Sequence, residues 1–158
     1  IDLSEEMLNL GKVKVEKRGL SQLINLLKAD SEELPFEDEY FDAAIVGFGV
    51  RNFENLKKGL AEIFRVLAPG GVFIVLEFSY PKNKIVKNFY TFYFLRVLPF
   101  IGRLISGDNS AYSYLPESVA EFPEGDGFIS ILERVGYFNC KCYRQTFGIA
   151  SIYLCQKP

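Results

Sequence analysis

The sequence predicts an α/β fold built on a mostly parallel sheet, and three features predict it. The first is the run Phe41-Asp42-Ala43-Ala44-Ile45-Val46-Gly47-Phe48, which reads as apolar on both faces, the pattern of a central strand with helices on either side of its sheet. The second is the alternation of strand-like and helix-like stretches along most of the chain. The third is the ending, where residues 137–146 and 149–156 read as two strands joined tightly around Phe147-Gly148 and therefore pair antiparallel.

Composition narrows the chemistry. With 158 residues, 49% hydrophobic and 15% aromatic, the chain is expected to form one domain with a substantial core. A net charge of −2 and the lack of a basic stripe interleaved with aromatics argue against a nucleic-acid partner. Three cysteines are too few for a disulfide framework, so a reducing cytoplasm is the expected compartment. Cys140 and Cys142 alone make a weak C-x-C, and no metal site is expected. The chain has no histidine. Ser-His-Asp and Cys-His catalysis and histidine-ligated metals are thereby excluded. Carboxylates, tyrosines, Arg51, backbone groups or a bound cofactor must carry any reaction.

In chain order, Ser4 followed by Glu6, Met7 and Leu8 reads as a helix start with Ser4 as cap, the helix running to Lys17 or Arg18 and stopping at Gly19. Asp2 then lies at the tip of a preceding strand, where a carboxylate suits ribose hydroxyls, although an acid at a helix start is also favoured by the dipole alone. Leu23-Ile24-Asn25-Leu26-Leu27 reads as a further strand. Asp30 follows its exit, placed for an adenine amine or serving as an ordinary turn former.

The central run ends in Gly47, Gly49, Arg51 and Asn52. Ligands of such sheets sit beyond the carboxyl ends of the strands, where glycine lets the backbone approach and Arg51 and Asn52 supply a cation and an amide. Leu56, Leu60, Ile63, Phe64 and Leu67 recur at helical spacing, and Pro69-Gly70-Gly71 ends that helix. Residues 72–79 form the next buried strand, with Glu77 near its end. Residues 85–105 are dense in aromatics but interrupted by Lys87, Arg96, Pro99 and Arg103, so they do not read as a membrane span. They read as core helices or as a cover over a greasy substrate that touches a bilayer surface. The loop Tyr112-Ser113-Tyr114 lies in position to line the same pocket, and a last helix over 128–135 closes at Gly136.

Several of these stretches resemble the ubiquinone/menaquinone biosynthesis C-methyltransferases, a class I S-adenosylmethionine-dependent family. They are Ile1-Asp2-Leu3-Ser4-Glu5-Glu6-Met7-Leu8, Asp30-Ser31-Glu32-Glu33-Leu34-Pro35-Phe36 and Phe48-Gly49-Val50-Arg51-Asn52-Phe53, then residues 65–71 and 75–79, and Tyr112-Ser113-Tyr114-Leu115-Pro116-Glu117-Ser118. The Arg-Asn element, the Glu-x-Ser strand end and the tyrosine loop are the more particular, and the ending 146–153 looks most like the menaquinone branch. The resemblance implies a Rossmann-like class I methyltransferase sheet with a terminal antiparallel strand, in a single partial domain over 1–158 with residues 80–116 as a substrate-cover insertion. It also implies that the family's first strand and glycine-rich loop belong ahead of Ile1, so the chain reads as the C-terminal portion of a longer enzyme. S-adenosylmethionine is the implied cofactor, its ribose on Asp2, its adenine side on Asp30 and Ser31, with a backbone contact at Gly47, where the family often has serine.

The implied reaction is C-methylation of a prenylated quinol such as a demethylmenaquinol. Arg51 orients the ring and stabilises the developing oxyanion, Asn52 lies beside it, and Tyr112 and Tyr114 contact substrate. Peripheral contact with the inner face of the membrane and homo-oligomerisation through unpaired strand edges are further expectations. Two rivals remain at this level: a nicotinamide-dependent oxidoreductase, and an inert fragment or hydrophobic-ligand binding module.

Overall fold

Residues 1–97 and 118–158 are described by the computed structural model. Helix α1 (Glu5–Lys17) starts where its local signals place it: Ser4 Oγ accepts from the Met7 amide at 3.3 Å. Glu5 and Glu6 in the first turn and Lys14 and Lys17 in the last complement the helix dipole. Gly19, at φ 66°, turns the chain away. Strand β1 (Phe41–Gly47) leads through a short 3-10 turn, Val50–Asn52, into α2 (Leu56–Val66), capped by Asn55 Oδ1 on the Lys58 amide at 3.1 Å. Then come β2 (Leu67–Phe78), α3 (Lys84–Phe92), α4 (Asp126–Val135), β3 (Phe138–Gln145) and β4 (Ala150–Gln156). Gly136, at φ 124°, ends α4.

These strands make one sheet in the order β1-β2-β4-β3. β1 and β2 are parallel, and β4 runs antiparallel between β2 and β3. The terminal antiparallel strand is therefore as expected. Register sets which side chains share a face. Ala44, Phe73 and Cys155 lie in one row and Val46, Val75 and Tyr153 in the next. That face packs on α2 and α4 through Leu60, Phe128 and Leu132, all fully buried.

Two expectations are corrected. The run over 41–48 is not covered on both sides among the described residues: Ile45, in register with Ile74 and Leu154 on the opposite face, is 73% exposed. An apolar sequence reports a capacity to be buried, and whether a neighbour arrives is a tertiary matter. Leu23–Leu27 does not form a strand either. Leu23 and Ile24 donate to the Leu20 carbonyl in a turn, and Leu23 is 81% exposed. What survives is an isolated parallel bridge of Asp2 with Lys28, through Asp2 N to Leu27 O at 3.2 Å and Ala29 N to Asp2 O at 3.3 Å. A strand exists by pairing, and a lone two-stranded contact is marginal in water. Among the described residues β1 pairs only with β2, so no ladder reaches 23–27.

Candidate active site

The carboxyl end of β1 is shaped by a backbone anomaly. Phe48 extends the ladder with its amide on the Leu76 carbonyl at 2.8 Å, then turns with φ 57°, a conformation that costs a non-glycine residue energy. The turn faces the Phe48 carbonyl to the following residues, and Arg51 Nη1 donates to it at 2.6 Å. The same Nη1 donates to Glu77 Oε2 at 2.9 Å, while the Arg51 main-chain amide donates to Glu77 Oε1 at 3.3 Å. The guanidinium also lies 5.4 Å from the centre of the Phe78 ring, which itself packs on Phe48 with centroids 4.6 Å apart.

This is a buried ion pair. The Glu77 side chain is fully buried and that of Arg51 is 10% exposed. Such a pair is worth little for stability against an apolar alternative, yet breaking it by removing one partner is costly. Arg51 Nε is buried with no hydrogen-bond partner among the described residues. An unsatisfied buried donor costs about 1–3 kcal/mol, and more on a charged group, which makes it a natural place for a ligand oxygen.

Arg51 lines a cavity of about 270 Å³ together with Val50, Phe53 and Leu56 from the segment after β1 and Ser118, Glu121 and Phe122 from the segment before α4. Helix α3 brings the buried Tyr90 into the electrostatic reach of Arg51. Burial and the neighbouring Tyr80 push the Tyr90 phenol up to about 12 against a lowering pull from Arg51. Tyr80 meets the Tyr90 ring edge-on at 5.7 Å.

The residues expected to hold a nucleoside lie on a neighbouring surface. Asp2 and Asp30 are exposed, on the two segments joined by the Asp2–Lys28 bridge. Each carboxylate has one oxygen in a local turn, Asp2 Oδ1 on the Ser4 amide and Asp30 Oδ1 on the Glu32 amide, both at 2.8 Å. Ser31 is half-buried beside Asp30. Glu32 ties this turn to the segment carrying Arg51 and Asn52, because its Oε1 accepts from the Asn55 amide at 2.6 Å. A Cβ placed on Gly47 would meet nothing within 4 Å, so the space beyond the end of β1 is open. Asn52 is exposed, its amide closing the 3-10 turn on the Gly49 carbonyl at 3.0 Å.

The cavity is lined by Arg51 and by neither Asp2 nor Asp30. Tyr112 and Tyr114 lie outside the described residues, as does the whole second half of the 80–116 segment. Sequence reasoning passed over Glu77 as a partner of Arg51, and its signal was present: a lone charge in the otherwise apolar run 72–78 needs a buried counter-charge.

The profile of the ubiE/COQ5 methyltransferase family matches residues 1–157. The chain belongs to the ubiE/COQ5 methyltransferase family. Its curated relatives in this family include the demethylmenaquinone methyltransferase of Bacteroides fragilis, 45% identical over 99% of this chain and 64% of the relative. A second is the ubiquinone/menaquinone biosynthesis C-methyltransferase of Geotalea daltonii, 46% identical over 99% of this chain and 66% of that protein. The chain thus spans slightly less than two thirds of the length of these relatives. Among solved structures, a SAM-dependent methyltransferase from Aquifex aeolicus superposes with a TM-score of 0.66 at 19% identity, covering 99% of this chain and 66% of that one. The α/β sheet of this ubiE/COQ5 family member is therefore a methyltransferase fold.

Proposed function

We propose that the protein takes part in S-adenosylmethionine-dependent C-methylation of a prenylated quinol ring, with Arg51 as the group that holds the reacting oxygen. The observation that carries this reading is the buried Arg51 guanidinium on the cavity wall, with Nε left without a partner among the described residues. The names of the relatives supply the reaction class.

The residues present fit the nucleoside part of the cofactor. Asp2 and Asp30 each have one carboxylate oxygen outside its local turn, exposed on adjoining segments, and the end of β1 is open over Gly47. Asp2 would hold the ribose, and Asp30 with Ser31 the adenine side. S-adenosylmethionine supplies the methyl group when bound.

The chain's own contribution is to the acceptor. A quinol ring carbon is a weak nucleophile until the adjacent hydroxyl gives up its proton, which passes to solvent water. Fixed N–H donors aimed at that oxygen stabilise the phenolate as it forms, more effectively in a closed pocket than in water. A guanidinium stays protonated, so Arg51 acts as donor and cation rather than as base. Val50, Phe53, Leu56 and Phe122 offer an apolar wall to the ring. On α3, Ile85, Phe89 and Phe92 are 69%, 73% and 61% exposed at helical spacing, with Lys84 and Lys87 among them. This stripe suits the interface of the bilayer that holds the prenylated substrate.

Arg51→Met, in the protein as expressed from its own gene, is expected to lower kcat by roughly 10²–10³, the range for loss of one oxyanion donor, with cofactor affinity unchanged by calorimetry. Wild-type turnover in a folded Arg51→Met protein would remove Arg51 from the site.

A further inference from the structure

We infer that Glu77 is a positioning residue that acts through Arg51: its carboxylate sets the orientation in which the guanidinium meets the substrate oxygen. The inference rests on the reading of Arg51 given above. Three observations carry it. Glu77 is the one fully buried charged side chain among the described residues, so its placement requires a partner. Its two oxygens join the guanidinium to the main chain, Oε1 accepting from the Arg51 main-chain amide at 3.3 Å and Oε2 from both Nη1 at 2.9 Å and the Phe78 main-chain amide at 3.2 Å. And it stands on β2 opposite Ser151 of β4, one residue past Leu76, where the β1 ladder ends, so the sheet fixes its backbone at the point where the chain leaves β1 for Arg51.

The consequence is geometric. A lone arginine has four side-chain torsions to freeze, and an arginine that wanders offers its donors to water as readily as to substrate. Here Glu77, the Phe48 carbonyl and the Phe78 face hold one edge and one face of the guanidinium plane. Both hydrogens of Nη1 are spent on this restraint, which leaves Nε–H and the two hydrogens of Nη2 for a ligand. The pair is neutral as a unit before the phenolate forms, so no unpaired cation has to be buried. Glu77 itself does not line the cavity.

The test is a double-mutant cycle with Glu77→Gln, Arg51→Met and the combined protein, assayed with a short-tailed demethylmenaquinol. The introduced amide keeps an oxygen facing the Arg51 main-chain N–H and replaces the other oxygen with a donor, which repels Nη1. Glu77→Gln alone is expected to lower kcat by roughly 10²-fold, the cost of a misplacement of about 1 Å, with cofactor affinity intact. In the Arg51→Met background the same change is expected to alter kcat by less than about twofold, because the group it positions is gone. The combined protein leaves no unpaired buried charge, which guards the cycle against a misfolded single variant.

A ligand-free readout runs beside it. The Arg51 Nε–H signal in a nitrogen-15 correlation spectrum, identified by its loss in Arg51→Lys, is expected to be slow to exchange in the wild type and fast in Glu77→Gln. Equal loss of kcat in both backgrounds, or an unchanged Nε–H in Glu77→Gln, would overturn the positioning role. A folded Arg51→Met protein with full turnover would instead defeat the parent reading of Arg51, so the two failures are separable.

Discussion

Gly59→Ala tests whether the packing behind the cavity is as tight as the structure places it. Gly59 lies inside α2, buried, and a Cβ there would fall 2.7 Å from Phe53 Cε2, 3.3 Å from its Cγ and against Cδ2. Two effects oppose each other. Alanine in a helix interior gains about 1 kcal/mol over glycine. Forcing a methyl into an occupied space costs about 1–3 kcal/mol. The clash is expected to win or draw, giving a net loss of about 0–2 kcal/mol, which at this chain length lowers Tm by roughly 0–8 °C. Gly127→Ala on α4 is the control, since its Cβ would meet only Pro123 Cβ at 3.9 Å, and Tm there should hold or rise. Thermal melts followed by circular dichroism compare the two. Phe53 also lines the cavity, so its displacement should raise KM for the quinol. Phe53→Leu in the Gly59→Ala background should restore the lost stability by freeing the space. If Gly59→Ala gains as much Tm as Gly127→Ala, Phe53 yields without cost and the packing of Phe53 on α2 is loose.

The other predictions concern stability. Arg65 donates to Glu62 at 2.8 and 2.9 Å and holds its carboxyl below the ordinary 4.5, with the Leu34 amide adding to the effect at 3.0 Å. The folded chain thus binds this proton more weakly than the unfolded chain does. The contribution is complete above the ordinary value and disappears as pH falls through the lower folded one. The Tm gap between wild type and Glu62→Gln should therefore be widest near neutrality and shrink steadily in melts taken at increasingly acid pH; a gap independent of pH would contradict it. Tyr137→Phe removes a buried hydroxyl that donates to the Leu60 carbonyl at 3.2 Å, and urea unfolding should report a loss of about 1 kcal/mol at unchanged m-value.

Much of the architecture was already present in local signals. Ser4, Gly19 and Gly136 marked helix ends because capping depends on a few neighbouring residues. The closing hairpin and the strands around Ile74 and Tyr153 were legible because side-chain alternation and turn residues are written within each segment. Arg51 could be read as a cation just past a strand end, a position that chain order alone defines.

What the tertiary structure decided depends on partners distant in sequence. Glu77 meets Arg51 across a separation of 26 residues, through the parallel register of β1 and β2, and no nearest-neighbour pattern encodes that register. The left-handed turn at Phe48 likewise follows from the carbonyl and ring contacts on either side of it rather than from any glycine preference. Leu23–Leu27 and Ile45 show the same rule in reverse. Their apolar residues made pairing and burial possible, and only the arrival of a neighbouring strand or helix converts that possibility into structure.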